Sequence, residues 1–226
     1  MQYYILMGGT MLISWLAKKN LERKFAKYSQ IPLQNGMTGK EVAAQMLREN
    51  GIHDVEILSV QGRLTDHYNP IDKTVNLSPD IYAGRTIMSA AVAAHECGHA
   101  VQHAKAYAFL GLRSNLVPII NFSSKYMQWV LLGGILMINT FPQLLLIGIA
   151  MFATTTLFSL VTLPVEFDAT NRAKVWLGGT NIVNRQEQEG VSDALSAAAK
   201  TYIVATIGSL GTLLYYVNIY LKSQRR

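Results

Sequence analysis

Residues 144–163 form an almost unbroken apolar run without a charged side chain. A helix needs about 20 such residues to cross the hydrocarbon core of a bilayer. Residues 201–221 form a second run of this kind, and shorter apolar stretches cover residues 126–138 and 3–17. Four apolar stretches in 226 residues are hard to explain as buried helices of a soluble protein. We therefore expect a mainly α membrane protein with about four transmembrane helices.

The charged residues make up only 15% of the chain, and the net charge is +6. The first apolar stretch is followed at once by a basic cluster, which consists of Lys18, Lys19, Arg23, Lys24 and Lys27. Because basic residues favour the cytoplasmic side, the N-terminus is predicted outside and residues 18–113 are predicted in the cytoplasm. Four spans would leave the basic tail, residues 222–226, outside against the same rule. The sequence therefore leaves the number of spans open.

A basic protein has two common partners, nucleic acid and anionic lipid. The basic residues are not interleaved with aromatic ones, so we expect no nucleic-acid binding. Contact of the basic clusters with a lipid bilayer accounts for their positions beside the apolar runs. Cys97 is the single cysteine, which excludes an intrachain disulfide and is consistent with a reducing compartment. The oligomeric state is not indicated.

His95, Glu96 and His99 form the motif H-E-x-x-H in an alanine-rich segment. Two histidines four residues apart lie on one face of a helix, so both imidazoles can reach one Zn²⁺. Glu96 faces the same cleft, where it can take a proton from an attacking water and pass it to a leaving amine. Ser78 and Pro79 are predicted to supply the N-cap and the first residue of this helix.

A catalytic zinc needs a third protein ligand. The metzincin pattern is excluded, because Gln102 and Lys105 stand where that class has a glycine and a histidine. His103 lies roughly 12 Å along the helix from the first motif histidine, too far to share a metal bound at about 2 Å. Glu166 is the better candidate, since this acid follows a long apolar run and Pro164, which is predicted to start a helix. The alternative is an ordinary acidic first turn.

The segment before the motif predicts α+β structure. Thr38 and Glu41 form a capping box that opens an amphipathic helix, which ends at Asn50 and Gly51. Three short strands are predicted at residues 55–58, 64–68 and 74–77. The last of them directly precedes the motif helix, where zinc peptidases hold an extended substrate by main-chain pairing. The segment is therefore expected to be zincin-like, with a small sheet and the H-E-x-x-H helix.

Six stretches follow one another along nearly the whole chain: T-G-K-E-V-A from residue 38, G-R-L-T-D-H-Y from 62, V-N-L-S-P from 75, A-A-H-E-C-G-H-A-V-Q from 93, L-P-V-E-F-D-A from 163 and A-A-A-K-T-Y from 197. In these stretches the chain resembles the YugP-type family of bacterial membrane zinc metallopeptidases. The resemblance implies a gluzincin-like peptidase that binds one Zn²⁺ per chain. It also implies that His95, His99 and Glu166 are the ligands and that Glu96 is the base.

Supporting residues are expected around such a site. In the neighbouring HtpX-like peptidases, an aspartate four residues after the glutamate ligand orients a zinc histidine. Here Thr170 occupies that position, and Asp168 lies roughly opposite Glu166 on an ideal helix. A group that stabilises the oxyanion is also expected. The candidates for these roles are Asp168, Arg172, His67, Tyr68 and His103.

These observations predict five parts of the chain: an N-terminal transmembrane anchor (1–17), a catalytic segment (18–115), a transmembrane helical hairpin (116–163), a third-ligand helix (164–200) and a last transmembrane helix with a basic tail (201–226). The predicted function is a zinc-dependent endopeptidase that acts on peptide or protein substrates. We expect it to be a multi-pass protein of the bacterial inner membrane, with its catalytic segment facing the cytoplasm.

Two alternatives stay open. An intramembrane protease of the site-two type would place residues 87–112 in the bilayer. Such enzymes usually carry an aspartate in a D-G turn, and no D-G dipeptide occurs in this chain. A non-catalytic membrane scaffold with structural zinc would have no use for Glu96.

Overall fold

The computed structural model describes the backbone of residues 2–224 and the side chains of residues 8–224. The elements follow one another as α1 (Gln2–Tyr28), α2 (Gly39–Glu49), β1 (Glu56–Ser59), β2 (His67–Asn69), β3 (Thr74–Leu77), α3 (Pro79–Tyr82), α4 (Ile87–Ala104), α5 (Ala108–Leu136), α6 (Pro142–Gly179) and α7 (Arg185–Ser223). The chain is thus mainly helical with one small sheet, as predicted. It forms two compact units, of which one contains Ala17–Leu110 and Val165–Thr201 and the other the remaining described residues.

Two helices in the described part of the chain, α6 and α7, are long and apolar enough to cross a membrane. Only 28% and 6% of their most apolar segments are buried within the protein, so most of this apolar surface is exposed. Four spans are not supported by helix length and composition. Polar side chains such as Lys125 interrupt the apolar sequence of the continuous helix α5. The apolar stretch of α1 is followed directly by the basic cluster. Met1, Arg225 and Arg226, which belong to the predicted anchor and tail, lie outside the described residues.

In the apolar unit, α5 and α6 are joined by a short turn and pack closely. A Cβ at Gly134 would lie 2.5 Å from Cα of Leu145, so glycine allows the two backbones to approach each other. Hydroxyl groups pair between α6 and α7, with Thr156 2.7 Å from Ser209 and Ser159 2.9 Å from Thr206. Hydrogen bonds between helices replace those that water would otherwise provide to these partly buried hydroxyls.

In the other unit, the predicted capping box opens α2. The Thr38 hydroxyl accepts from the Glu41 amide, and the Glu41 carboxylate accepts from the Thr38 amide. The sheet has the order β1-β3-β2, in which β1 is parallel and β2 antiparallel to β3. All four residues of β3 are buried. Val75 and Leu77 of this strand belong to one hydrophobic core with the inner faces of α2 and α4.

The sheet corrects the prediction about substrate pairing. β3, the strand before the motif helix, lies in the centre of the sheet and is paired on both sides. It therefore has no free edge for an extended peptide. Only β1 and β2 are edge strands of this sheet. The second strand is also shorter than predicted, since it begins at His67 rather than at residue 64.

Two predicted helix starts are wrong. Ser78 and Pro79 open the four-residue helix α3, whereas the motif helix α4 begins after Thr86, whose hydroxyl accepts from the Ser89 amide. The Ser78 hydroxyl is not a cap because it donates to the Asp66 carboxylate at 3.0 Å. Pro164 lies inside α6 and does not start a helix. An apolar membrane helix tolerates an internal proline because neighbouring groups satisfy the freed carbonyl.

Candidate metal site

The motif helix α4 is buried along most of its length, because small alanine side chains let it pack against the sheet and α2. His95 and His99 lie on the same face, with their ring centroids 4.9 Å apart and nearly perpendicular. His99 is buried, and the His95 side chain is 14% exposed. A helix thus brings the two imidazoles together by its own period, as the spacing predicts.

Glu166 reaches this pair from α6 and is itself buried. Gly98 lies between the two histidines at the contact of α4 with α6. A Cβ at Gly98 would lie 2.7 Å from the backbone oxygen of Ala169 and 3.1 Å from its Cα. Only glycine permits this approach, so the small residue inside the motif decides how close the carboxylate comes. Glu166 is deep inside α6, and the interpretation of an ordinary acidic first turn is therefore wrong.

The three side chains converge on one point. Oε2 of Glu166 lies 3.3 Å from Nε2 of His95 and 3.6 Å from Nε2 of His99. Ligands bound to zinc at about 2.0–2.1 Å in a tetrahedron are roughly 3.3 Å apart. One donor atom from each residue lies within 4.8 Å of the others. The donor set and its spacing therefore fit Zn²⁺.

A chain of hydrogen bonds supports His99 from behind. Oε1 of Gln102 lies 3.0 Å from Nδ1 of His99. Nε2 of the same amide donates to the backbone oxygen of Val165 at 2.7 Å and to Asp168 at 2.8 Å. Asp168 also accepts from Nε of Arg172 at 2.6 Å. On the other ligand, the Thr170 hydroxyl lies 3.4 Å from Nδ1 of His95.

Glu96 is buried beside the two histidines, with 8% of its surface exposed. Burial disfavours the ionised carboxylate and raises the pKa of Glu96 to about 7, although the neighbouring His95 acts in the opposite direction. The charge of Glu166 adds to the increase of this pKa. In the metal-free protein, Glu96 therefore holds a proton far more readily than an exposed glutamate does.

Comparison with known proteins agrees with this geometry. The family described as "Putative neutral zinc metallopeptidase" matches residues 3–221. The chain belongs to this metallopeptidase family. It is 41% identical over 212 residues to "Putative membrane protease YugP" of Bacillus subtilis (strain 168), and the match covers 94% of this chain and 93% of the relative. No solved structure matches the chain significantly. The relative's name and the two apolar helices together indicate association with a membrane.

The other candidate residues lie outside the set of three donors. His103 does not belong to that set. Its Nδ1 lies 2.7 Å from the hydroxyl of Tyr68 on β2. The ring of His67 is exposed, with Nδ1 2.7 Å from the backbone oxygen of Thr65. His67 nevertheless acts against the raised pKa of Glu96, so this end of β2 is near the motif. Arg172 is paired with Asp168.

Three contributors to the site were not predicted from the sequence: Gly98, Gln102 and Thr170. In the sequence, Gln102 is a mismatch to the metzincin pattern and the last residue of the stretch 93–102, and Thr170 stands in place of an aspartate. The position of Thr170, four residues after Glu166, was the signal for its contact with His95. No sequence signal pointed to the side-chain contacts of Gln102, since they depend on how α4 meets α6.

Proposed function

We propose that this protein is a membrane-anchored, zinc-dependent endopeptidase with His95, His99 and Glu166 as metal ligands and Glu96 as the general base. The observation that carries the proposal is the convergence of the three donor atoms within 4.8 Å, beside a buried glutamate. Zn²⁺ held there supplies a Lewis acid that activates a water and polarises the scissile carbonyl. A set of three protein ligands leaves one position open, which is typical of a catalytic zinc.

Glu96 has the properties that a proton carrier needs. Its carboxylate can accept a proton from the attacking water and later donate it to the amine of the leaving peptide. A pKa of about 7 in the metal-free site shows that burial favours the protonated form. Efficient general acid–base groups have a pKa near the working pH.

Burial of Glu96 also argues against a structural zinc site in a scaffold. A buried acid that binds no metal costs stability, and a purely structural site would not need it. The intramembrane alternative has less support than the anchored one. In the described part of the chain, α4 is not among the helices that are long and apolar enough to cross a membrane. It packs in the core with the small sheet instead.

The positions of the ligands restrict how the chain crosses the bilayer. His95 and His99 precede α5, whereas Glu166 follows the apolar run of α6. Because the three meet at one point, the chain has to cross the membrane an even number of times between them. If residues 144–163 cross, α5 also crosses, despite Lys125. A lysine can bury its stem and extend its ammonium group toward the interface.

We therefore propose that α5 and α6 cross as a hairpin and that α7 is a further span. The protein would then be a multi-pass protein of the bacterial inner membrane. The basic cluster at residues 18–27 supports a catalytic segment that faces the cytoplasm. Peptides or proteins that reach this surface would be the substrates.

The variant Glu96→Gln tests the proposed catalysis. We expect purified full-length protein in detergent to contain about one zinc per chain and to digest casein. The variant should keep its zinc and lose at least about 10²- to 10⁴-fold in rate, because the ligands stay and the base is lost. Near-normal hydrolysis by the variant would contradict the role of Glu96. Absence of zinc from the wild-type protein would contradict the metal site.

A further inference from the structure

Gln102 is completely buried, yet every polar atom of its side chain has a partner. Its oxygen faces His99 on its own helix, and its nitrogen faces Val165 and Asp168 on α6. A buried amide is costly unless it is hydrogen bonded. The three contacts offset that cost and hold the side chain in one orientation.

The partners determine which end of the amide faces the histidine. The Val165 carbonyl and the Asp168 carboxylate can only accept hydrogen bonds, so the NH₂ group of Gln102 has to face them. The amide oxygen then faces His99 and can only accept. Nδ1 of His99 therefore carries the hydrogen, and its Nε2 presents a lone pair on the side of Glu166.

We propose that Gln102 is a positioning residue that fixes the tautomer and the ring orientation of His99. The inference rests on the proposed metal site. In many zinc sites a carboxylate accepts directly from the ligand histidine. Here an amide is inserted between the carboxylate of Asp168 and His99, and Arg172 holds Asp168 from the far side.

A purely structural role has to be separated from positioning, because Gln102 also connects α4 to α6. Loss of the amide could weaken the helix contact without any specific effect on the histidine. The two roles differ in which substitutions restore the zinc affinity. Positioning needs a group that accepts from His99 and is itself held at Asp168, whatever its chemical type. A matched pair of substitutions can rebuild that arrangement.

The experiment measures the zinc affinity of the full-length protein in detergent, by competition with a chromogenic chelator and with zinc as the only added metal. Gln102→Glu still accepts from His99 but places a second carboxylate against two acceptors, the Val165 carbonyl and the Asp168 carboxylate. We expect it to bind zinc about 10- to 100-fold more weakly. Adding Asp168→Asn supplies an amide donor to the new carboxylate, so the double variant should regain at least about threefold of the lost affinity, although the Val165 carbonyl is left without its donor.

Unchanged zinc affinity in Gln102→Glu would overturn the inference, and so would a double variant as weak as the single one. If the single variant does not fold, Asp168→Leu serves instead, because the Asp168 side chain is 27% exposed whereas Gln102 is completely buried. It removes one of the two acceptors that hold the Gln102 amide, leaves the Val165 carbonyl as the other, and should weaken zinc binding at least about threefold. No change there would also overturn the inference.

The wild-type measurement separates this inference from the proposed function. A wild-type protein that binds no zinc would remove the metal site itself. A wild-type protein that binds zinc, with variants that bind it equally well, would leave the metal site standing and remove only the role of Gln102.

Discussion

Gly98 packs directly against the backbone of Ala169, and this contact brings the two parts of the candidate metal site together. The glycine lies between His95 and His99 on α4, whereas Ala169 lies three residues after Glu166 on α6. A Cβ at Gly98 would be 2.7 Å from the Ala169 oxygen, so any larger residue would push the helices apart. The distance between the histidines and the Glu166 carboxylate therefore depends on Gly98, which is not itself a proposed metal ligand.

Gly98→Ala should weaken zinc binding by at least about tenfold, because the donors need their mutual spacing within a few tenths of an ångström. Overpacking of this kind costs about 1–3 kcal/mol, so the Tm should also fall. Gly111→Ala is the matched control, since nothing lies within 4 Å of a Cβ at that helical position. It should keep its zinc and its Tm. Wild-type zinc affinity in Gly98→Ala would show that α6 can move away without cost.

Glu166→Ala should lose far more zinc than His103→Ala, since only the first removes a proposed ligand. The His103 variant loses a hydrogen bond to Tyr68 and keeps all three donors. Metal content after dialysis against a weak chelator distinguishes them. If the His103 variant lost its zinc and the Glu166 variant kept it, the proposed ligand set would be wrong.

The stability of the metal-free protein should fall as the pH rises, in part because of Glu96. The pKa of this group increases from 4.5 to about 7 on folding. The folded state therefore binds the proton more tightly than the unfolded state, and the protonated form contributes stability that is fully present below pH 4.5 and lost by about pH 7. The effect amounts to about 3 kcal/mol.

Glu96→Gln removes this titration. In metal-free protein at pH 8, the variant should have a Tm several degrees above that of wild type, and most of the difference should disappear at pH 5. Thermal unfolding in detergent at both pH values measures it. A difference in Tm that does not change with pH would show that Glu96 has an ordinary pKa.

The turn between α5 and α6 should lie on the opposite side of the membrane from the catalytic segment. In a Cys97→Ala background, a cysteine at Lys40 should be protected from an impermeant maleimide in intact cells. A cysteine at Thr140, in the turn between α5 and α6, should be labelled. Both positions are exposed. Lys40 reports the catalytic side and Thr140 the far end of the hairpin.

A third cysteine at Gln224 reports the end of α7, which should be labelled if α7 crosses. Permeabilised cells provide the control, since all three positions should then react. Protection of both Lys40 and Thr140 would contradict the crossing of α5 and α6. Labelling at Lys40 with protection at Thr140 would reverse the orientation and leave the zinc chemistry unchanged.

Elements with local signals were predicted well. The capping box of Thr38 and Glu41 opens α2 as predicted, because its two hydrogen bonds are made within one turn. The strand at residues 74–77 was found from its composition. Prediction failed where a residue with a local signal makes its contacts elsewhere in the structure. The Ser78 hydroxyl donates to Asp66 and α4 begins only after Thr86, whereas Pro164 lies inside the continuous helix α6.

The sequence by itself determined that His95 and His99 share one helix face with Glu96 beside them, because the period of a helix is a local property. It also determined the long apolar runs, since these depend on composition alone. From the residues alone, Glu166 could be either the third zinc ligand or an ordinary acidic residue in the first turn of a helix. Only the tertiary structure decided that its carboxylate meets the two imidazoles and that the Gln102 amide supports one of them. Both relationships arise from the close approach of α4 and α6 at Gly98, and such packing follows from shape complementarity between segments far apart in the chain.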